Sequence, residues 1–277
     1  MRILPYTEFL FEGEYQNFNE RKKELVSYLK GKNYKNYIQT LNDMLKDPKL
    51  KALIEDGFGG ELGDIQLNFS EQYIECDKLD PTQNEIGLTQ SLDYGLKSTK
   101  NFIKYFEPIV EINHPLVTLN GKYVIDGHHR WSEILCFNPK AKVVCLDYSG
   151  NITPMEMLKI TQGAIAATKG TIKSNEKHGT NIYDMKKFDI KKYIEQNIID
   201  DVVLAFKTRD NNKFVDKTDV VNYLTDNAVA MIQNHPLLNN APNRGLMPQT
   251  SDGDNTKMSE PLKNMRDNKM TEIPGNK

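Results

Sequence analysis

The chain has few of the features that would assign a function class at once. Its 277 residues contain one tryptophan and three cysteines, and Lys+Arg at 36 nearly balance Asp+Glu at 38. A formal net charge of -2 supplies no global attraction to nucleic acid or to an anionic membrane, so any contact with DNA has to be local. The cysteines, Cys76, Cys136 and Cys145, are odd in number, far apart and without CxxC spacing. They read as reduced, buried thiols, which points to a cytoplasmic protein.

No run of about 18 apolar residues occurs, which excludes a membrane-spanning helix and a membrane partner. The opening MRILPYTEFLFEGE is acidic and lacks the basic start and apolar core of a signal peptide. Apolar residues make up 38% and the mean hydropathy is -0.60, more polar than a chain folded throughout would require.

The apolar residues that are present change period along the chain. Between Asn17 and Asp56 they recur at helical spacing, as in Tyr37, Ile38, Leu41, Met44 and Leu45, with Asp47-Pro48 as a break. The run GFGGELGD, Gly57 to Asp64, reads as a linker, so residues 1–60 form a helical arm. Gln72 to Pro81 alternates as a strand does, and Asn84 to Leu96 and Ser98 to Phe106 return to helical spacing.

PLVTLNGKYVID holds Asn120-Gly121 between two β-rich runs, the signature of a hairpin with a two-residue type I′ turn. Its second strand runs into DGHHRWSEILCFN, a helix, followed by the strand Lys140 to Tyr148. Thr153 and Pro154 then open a helix that continues to about Thr168. The domain is therefore an α/β (α+β) unit over residues 61–170, a small mixed sheet with helices. Helical periodicity in YDMKKFDIKKYIEQNIIDDVVLAF and TDVVNYLTDNAVAMIQ makes residues 171–235 a helical extension. Residues 236–277, without aromatics and rich in Asn, Pro, Asp and Lys, read as a disordered tail.

The chemistry concentrates in Tyr123 to Trp131, YVIDGHHRW. A strand that ends in Asp-Gly and turns straight into a helix presents unpaired N–H groups and the positive end of a helix dipole, and Gly127 lets an anion approach the backbone. Arg130 offers a planar fork for phosphate oxygens. His128 and His129 titrate near neutrality and can donate hydrogen bonds or move protons, and Asp126 can hold a magnesium ion that bridges phosphates. A plainer reading fits the same residues: Asp-Gly as a turn, Asp126 as a helix cap and one histidine facing the core. Pattern alone leaves both open. Adjacent histidines lack the i, i+4 spacing of a zinc pair, and TQGAIAATKGT, Thr161 to Thr171, lacks the order of a P-loop. Trp131 reads as a core anchor, and Lys97, Lys100, His114, His178 and His235 are assigned no chemistry.

The order strand, turn, helix, hairpin, DGHHR, helix, strand across Gln72 to about Thr168 resembles the ParB/sulfiredoxin superfamily, including its bacteriophage members described as ParB-like nuclease domains. KLDPTQNEI, Lys78 to Ile86, resembles the family's opening box, and YVIDGHHRWSEI, Tyr123 to Ile134, resembles its phosphate-binding box. The resemblance implies that Gly127, His129 and Arg130 bind nucleotide phosphates, that ATP or another NTP with Mg is the cofactor, and that Glu85, Asp126 and His128 are the catalytic candidates. Glu85 would be the base of a kinase-like member; a surface glutamate at a helix start is the simpler reading of the same residue.

The departures narrow the choice. A sulfiredoxin has a cysteine where this chain has His128, and a partition protein has further arginines where Ser132 and Glu133 stand. Three expectations follow: a nucleotide-binding enzyme of phosphoryl transfer or hydrolysis, a nuclease acting on DNA, or a non-catalytic protein that joins an assembly through its helical arm or tail.

Overall fold

The computed structural model describes residues 37–46, 67–111, 115–154, 157–158, 161, 179–210, 213–238 and 241. The linker at Gly57 to Asp64, the tail from 242 onward, most of the expected helix to Thr168, and His114 and His178 lie outside them. The chain divides into two compact units. The first takes residues 1–66, 151–174 and 242–277. Its described part includes helix α1, Tyr37–Lys46, with Leu41 fully buried, and a helical turn at Pro154 in which Met157 N–H donates to Thr153 O at 3.1 Å.

The second unit, residues 67–150 and 175–241, holds the sheet. Its strands are β1 (Leu67–Glu75), β2 (Asp80–Pro81), β3 (Leu116–Leu119), β4 (Tyr123–Asp126) and β5 (Lys142–Gly150), in the order β1-β5-β3-β4-β2. β1 and β5 pair antiparallel over nine residues, from Leu67 opposite Gly150 to Glu75 opposite Lys142. β5 is parallel to β3, β3 antiparallel to β4, and β4 parallel to β2. The fold is thus α+β with a mixed sheet, as the residue periods indicated.

The alternating run Gln72 to Pro81 is not one strand. β1 begins earlier, at Leu67, and ends at a 3-10 turn, Cys76–Lys78. Cys76 and Asp77 give their N–H groups to Ala141 O (2.8 Å) and Pro139 O (3.0 Å), which takes the chain off the sheet before it returns at the opposite edge as β2. The hairpin is where Asn-Gly put it: Asn120 and Gly121 have φ of 55° and 61°, the pair of positive values that a type I′ turn demands.

Two helices follow β2, α2 (Leu88–Leu96) and α3 (Thr99–Lys104), the latter capped by the Ser98 side chain accepting from Asn101 N–H. Helix α4, His128–Phe137, is the centre of the unit, with eight of its ten residues buried. Trp131 is wholly buried and donates from Nε1 to Cys76 O at 3.0 Å, so the core-anchor reading holds. All three cysteines are free and buried. Burial pushes the Cys145 thiol up to about 12, so it stays protonated and unreactive at neutral pH.

The C-terminal helices are part of this same core. They are α5 (Lys187–Asn197), α6 (Asp200–Arg209) and α7 (Lys217–Asn234), and Ile190, Ile194, Val202, Phe206, Val220 and Leu224 share a cluster with Trp131 and Phe137. The single helical run seen at Tyr183 to Phe206 is divided in two. Ile199 is extended (φ -82°, ψ 151°) with its N–H on Leu96 O, and Asp200 and Asp201 favour a new helix N-terminus. At the far end of α4, Asn227 Nδ2 and Tyr223 OH donate to Cys136 O and Phe137 O, satisfying carbonyls that a helix end leaves open.

Candidate functional site

The N-terminus of α4 is set by Gly127. Its φ of 99° is left-handed, a conformation that L side chains rarely adopt, and it turns β4 into the helix in one residue. A Cβ at this position would lie 2.7 Å from Arg130 Nη2 and 2.7 Å from Leu116 Cδ2. Arg130 therefore folds back across the glycine, its guanidinium lying over the helix end. Its Nη2 pairs with Asp126 Oδ2 at 3.3 Å and donates to Pro115 O at 3.4 Å, while its buried Nε has no acceptor. Both side chains of the Asp126–Arg130 pair are about a quarter exposed, 26% and 23%.

The two adjacent histidines do different work. His128 is 2% exposed, and its Nε2 accepts the Thr82 N–H at 2.9 Å. The Thr82 hydroxyl donates to Val124 O at 2.6 Å and lies 3.2 Å from the same nitrogen. Accepting at Nε2 leaves the proton of the neutral ring on Nδ1. His129 is half-buried, and its Nε2 accepts the Gly87 N–H at 3.3 Å.

These bonds join the two sequence boxes. Thr82 and Gly87 bracket Glu85, and each is tied to a histidine at the start of α4. The segment Lys78 to Ile86 is thereby held over the start of α4, with Glu85 half-buried in the loop between the anchors. His128 lies beneath this surface as a tether. Asp126, Gly127, His129 and Arg130 are the partly exposed members.

Helices α2 and α4 run side by side in the same direction. Gly87 meets His129, Ser91 Oγ lies 2.8 Å from Ser132 Oγ, and the Gly95 backbone approaches Phe137 so closely that a Cβ would come within 2.4 Å of its ring. Ser91 and Ser132 also donate back to Gly87 O (2.8 Å) and His129 O (3.1 Å). The two helix N-termini therefore lie at one place, where their dipoles point the same way, although at α2 the Gly87 and Leu88 N–H groups are already bonded to His129 Nε2 and Thr180 O.

The loop before α2 is braced from a distant part of the chain. Asn181 Oδ1 accepts the Ile86 N–H at 3.1 Å, Ile182 N–H donates to Ile86 O at 2.9 Å, and Leu88 N–H donates to Thr180 O at 2.8 Å. Thr82, Gly87, Ser91, Ser132 and Asn181 escaped the sequence reading. Thr82 and Gly87 sit in or beside the opening box and were within reach of it, whereas Asn181 lies 95 residues from Ile86 with no local signal.

Lys97, assigned no chemistry, pairs with Asp93 at 2.6 Å on the surface of α2. His235 Nδ1 lies 3.0 Å from Asp80 Oδ1, fastening the end of α7 to β2. Among the described residues no three His, Cys, Asp or Glu side chains are grouped to hold a metal ion, and no helix is long and apolar enough to cross a membrane.

Comparison with known proteins finds no family model, curated protein or solved structure that matches the chain.

Proposed function

We propose that this chain is a nucleotide-binding protein of ParB/sulfiredoxin type, with ATP or another NTP seated by its phosphates at the joined N-termini of α4 and α2. The observation that carries the reading is the Gly127 turn with Arg130 folded over it. The N-terminus of α4, which no side chain caps, and over it a guanidinium with an unsatisfied buried Nε make one anion receptor. His129 is half-buried beside it, with Nε2 accepting the Gly87 N–H.

Asp126 sets the terms of binding. At rest it neutralises Arg130. Magnesium takes one or two carboxylates and completes its shell with phosphate oxygens and water, a set that Asp126 and a nucleotide together supply without a cage of protein ligands. Were a magnesium–nucleotide complex to bind, Asp126 would be the carboxylate placed to hold the metal and Arg130 the cation placed to hold the phosphate. His128, buried with Nε2 on Thr82, serves as a tether rather than a proton carrier.

The reaction on this reading is phosphoryl transfer or hydrolysis, with Glu85 taking the proton of an acceptor hydroxyl or water and Arg130 stabilising the charge of the transferring group. Cleavage of DNA at the same receptor is the second enzymatic reading, and the near-neutral charge of the chain gives it no extended groove for a polyanion.

The test is calorimetric titration of ATP, CTP and GTP, each with Mg, into the wild-type chain and into Arg130→Ala. Micromolar binding of one nucleotide, about 8 kcal/mol, is expected for the wild type, with a loss of at least about tenfold in the variant, as removal of a charge-assisted pair implies. Failure of all three nucleotides to bind removes the enzyme reading and leaves a non-catalytic member of an assembly.

A further inference from the structure

The two edges of the sheet are finished differently. At one edge β2 is two residues long, ends on Pro81 and has the end of α7 fastened to it through His235 and Asp80. At the other, β1 runs for nine residues against β5 without a break in register and contains no proline and no lysine. Short strands, proline, lysine and bulges are the means by which proteins close a sheet edge to further pairing. β1 has none of them.

Which of its main-chain groups are open follows from β5. Lys142 O accepts the Val110 N–H at 2.7 Å and Val144 N–H donates to Val110 O at 3.1 Å, so these two residues of β5 face away from β1. Antiparallel pairing alternates, so the residues between them bond to β1, and on β1 the even-numbered positions from Asn68 to Ile74 receive those bonds. The Cys76 N–H on Ala141 O continues the same alternation. Leu67, Phe69, Glu71, Tyr73 and Glu75 therefore turn N–H and C=O outward, and every residue from Asn68 to Tyr73 is exposed.

The side chains select the kind of strand that fits. Residues opposite each other in adjacent strands share a face, and on one face of β1 Phe69 (45% exposed) and Tyr73 (53%) flank Glu71. Phe69 rests on the Tyr148 ring, with centroids 5.0 Å apart, and the Tyr73 hydroxyl donates to Glu71 Oε1 at 2.8 Å. Lys140 stands 3.8 Å from Glu75, whereas Glu71 meets no cation among the described residues. The other face carries uncharged Asn68, Ser70 and Gln72. A second copy of β1 is a poor match, because the strand has no Lys or Arg to offer Glu71 in any register, and the fully overlapped one sets Glu71 on Glu71.

We infer that the β1 edge docks an extended segment of a partner protein, which adds antiparallel beyond β1 with Lys or Arg opposite Glu71 and apolar residues opposite Phe69 and Tyr73. Main-chain bonds supply the affinity and the three side-chain pairs the selection. The inference is independent of nucleotide binding at α4.

The probe is the terminally blocked peptide Thr-Ile-Thr-Lys-Thr-Ile-Thr, titrated into the isotopically labelled full chain and followed by amide NMR. Without peptide, the N–H groups of Phe69, Glu71 and Tyr73 are expected to exchange with solvent faster than those of Ser70 and Gln72. The peptide is expected to bind at about 0.1–1 mM and to slow exchange at the first three. N-methylation of its lysine and isoleucines, whose N–H groups face β1, is expected to weaken binding at least about tenfold. N-methylation of its two central threonines, whose N–H groups face away, is expected to leave binding in place. Glu71→Lys, at an exposed position, is expected to lower affinity for this peptide about fivefold and to favour the peptide with glutamate in place of lysine by a similar factor. No binding at about 3 mM, shifts away from β1, equal effects of the two N-methylations, or an unchanged preference in Glu71→Lys would each overturn the proposal. So would a wild type that dimerises through β1 and excludes the peptide, which gives the edge to a second copy. Should Glu71→Lys fail to fold, the pair of N-methylated peptides on the wild type decides the matter.

Discussion

Glu133→Gln is expected to make the protein more stable at pH 8 by about 2–3 kcal/mol and to flatten its stability between about pH 5 and pH 7. Glu133 is 4% exposed in the middle of α4, where it accepts a hydrogen bond from the Tyr105 hydroxyl. Burial lifts its carboxyl from 4.5 to about 7, against a smaller opposing effect of the Tyr105 bond. The sign follows from where the proton is. Below about pH 4.5 both folded and unfolded chains hold it, and Glu133 costs nothing. Between that value and about 7 only the folded chain holds it, so each pH unit removes about 1.4 kcal/mol of stability. Above about 7 the folded chain carries a buried carboxylate and the full penalty persists.

Glutamine keeps an acceptor for Tyr105 and never ionises. Urea unfolding of both proteins at half-unit pH steps reads the difference directly. Parallel profiles, with no convergence toward acid pH, would refute the assignment of this carboxyl as the titrating group. The same burial raises the Tyr105 hydroxyl further still, so it remains a donor throughout this window.

Gly127→Val is the second large effect. The left-handed φ of 99° costs a β-branched residue about 1–2 kcal/mol. The clash with Leu116 Cδ2 adds about 1–3 kcal/mol of overpacking. A total loss of about 2–5 kcal/mol in denaturant unfolding is expected. Binding should fall more than stability explains, because Arg130 Nη2 occupies the space that the new side chain needs. The milder Gly127→Ala adds only the Cβ, which meets both Arg130 and Leu116 but brings no further bulk, so a folded variant that has lost nucleotide affinity is the expected result. A Gly127→Val protein as stable as wild type would mean that the turn relaxes without cost, contrary to this account.

What could be read in advance was whatever the chain encodes locally. Asn120-Gly121 fixes its own turn because it is one of the few pairs that accept positive φ twice in succession, and Gly127, alone at positive φ, marks the end of β4. The candidate receptor at Gly127 and Arg130 was legible on the same ground, since a strand-to-helix turn and the guanidinium that crosses it lie within four residues. The different tasks of His128 and His129 were not. Which of two adjacent imidazoles faces inward depends on Thr82 and Gly87, more than 40 residues away.

The break at Ile199 was hidden for a related reason. Apolar spacing continues straight through it, and the interruption comes from a main-chain bond to Leu96 rather than from a helix-breaking residue. Likewise the helices beyond residue 187 look like an appendage in sequence because their own apolar faces say nothing about what they cover. Their partners are Trp131, Phe137 and the aromatic side chains of α3 and its following turn.

The central claim is that the α4 and α2 N-termini form one phosphate receptor. An NMR titration of the isotopically labelled full chain with the Mg complex of each nucleotide addresses it most directly. The largest amide shifts are expected on Gly127 to Arg130 and on Gly87, and Arg130→Ala is expected to need at least about tenfold more nucleotide to produce them. Shifts confined to other residues, or none at millimolar nucleotide, would contradict it.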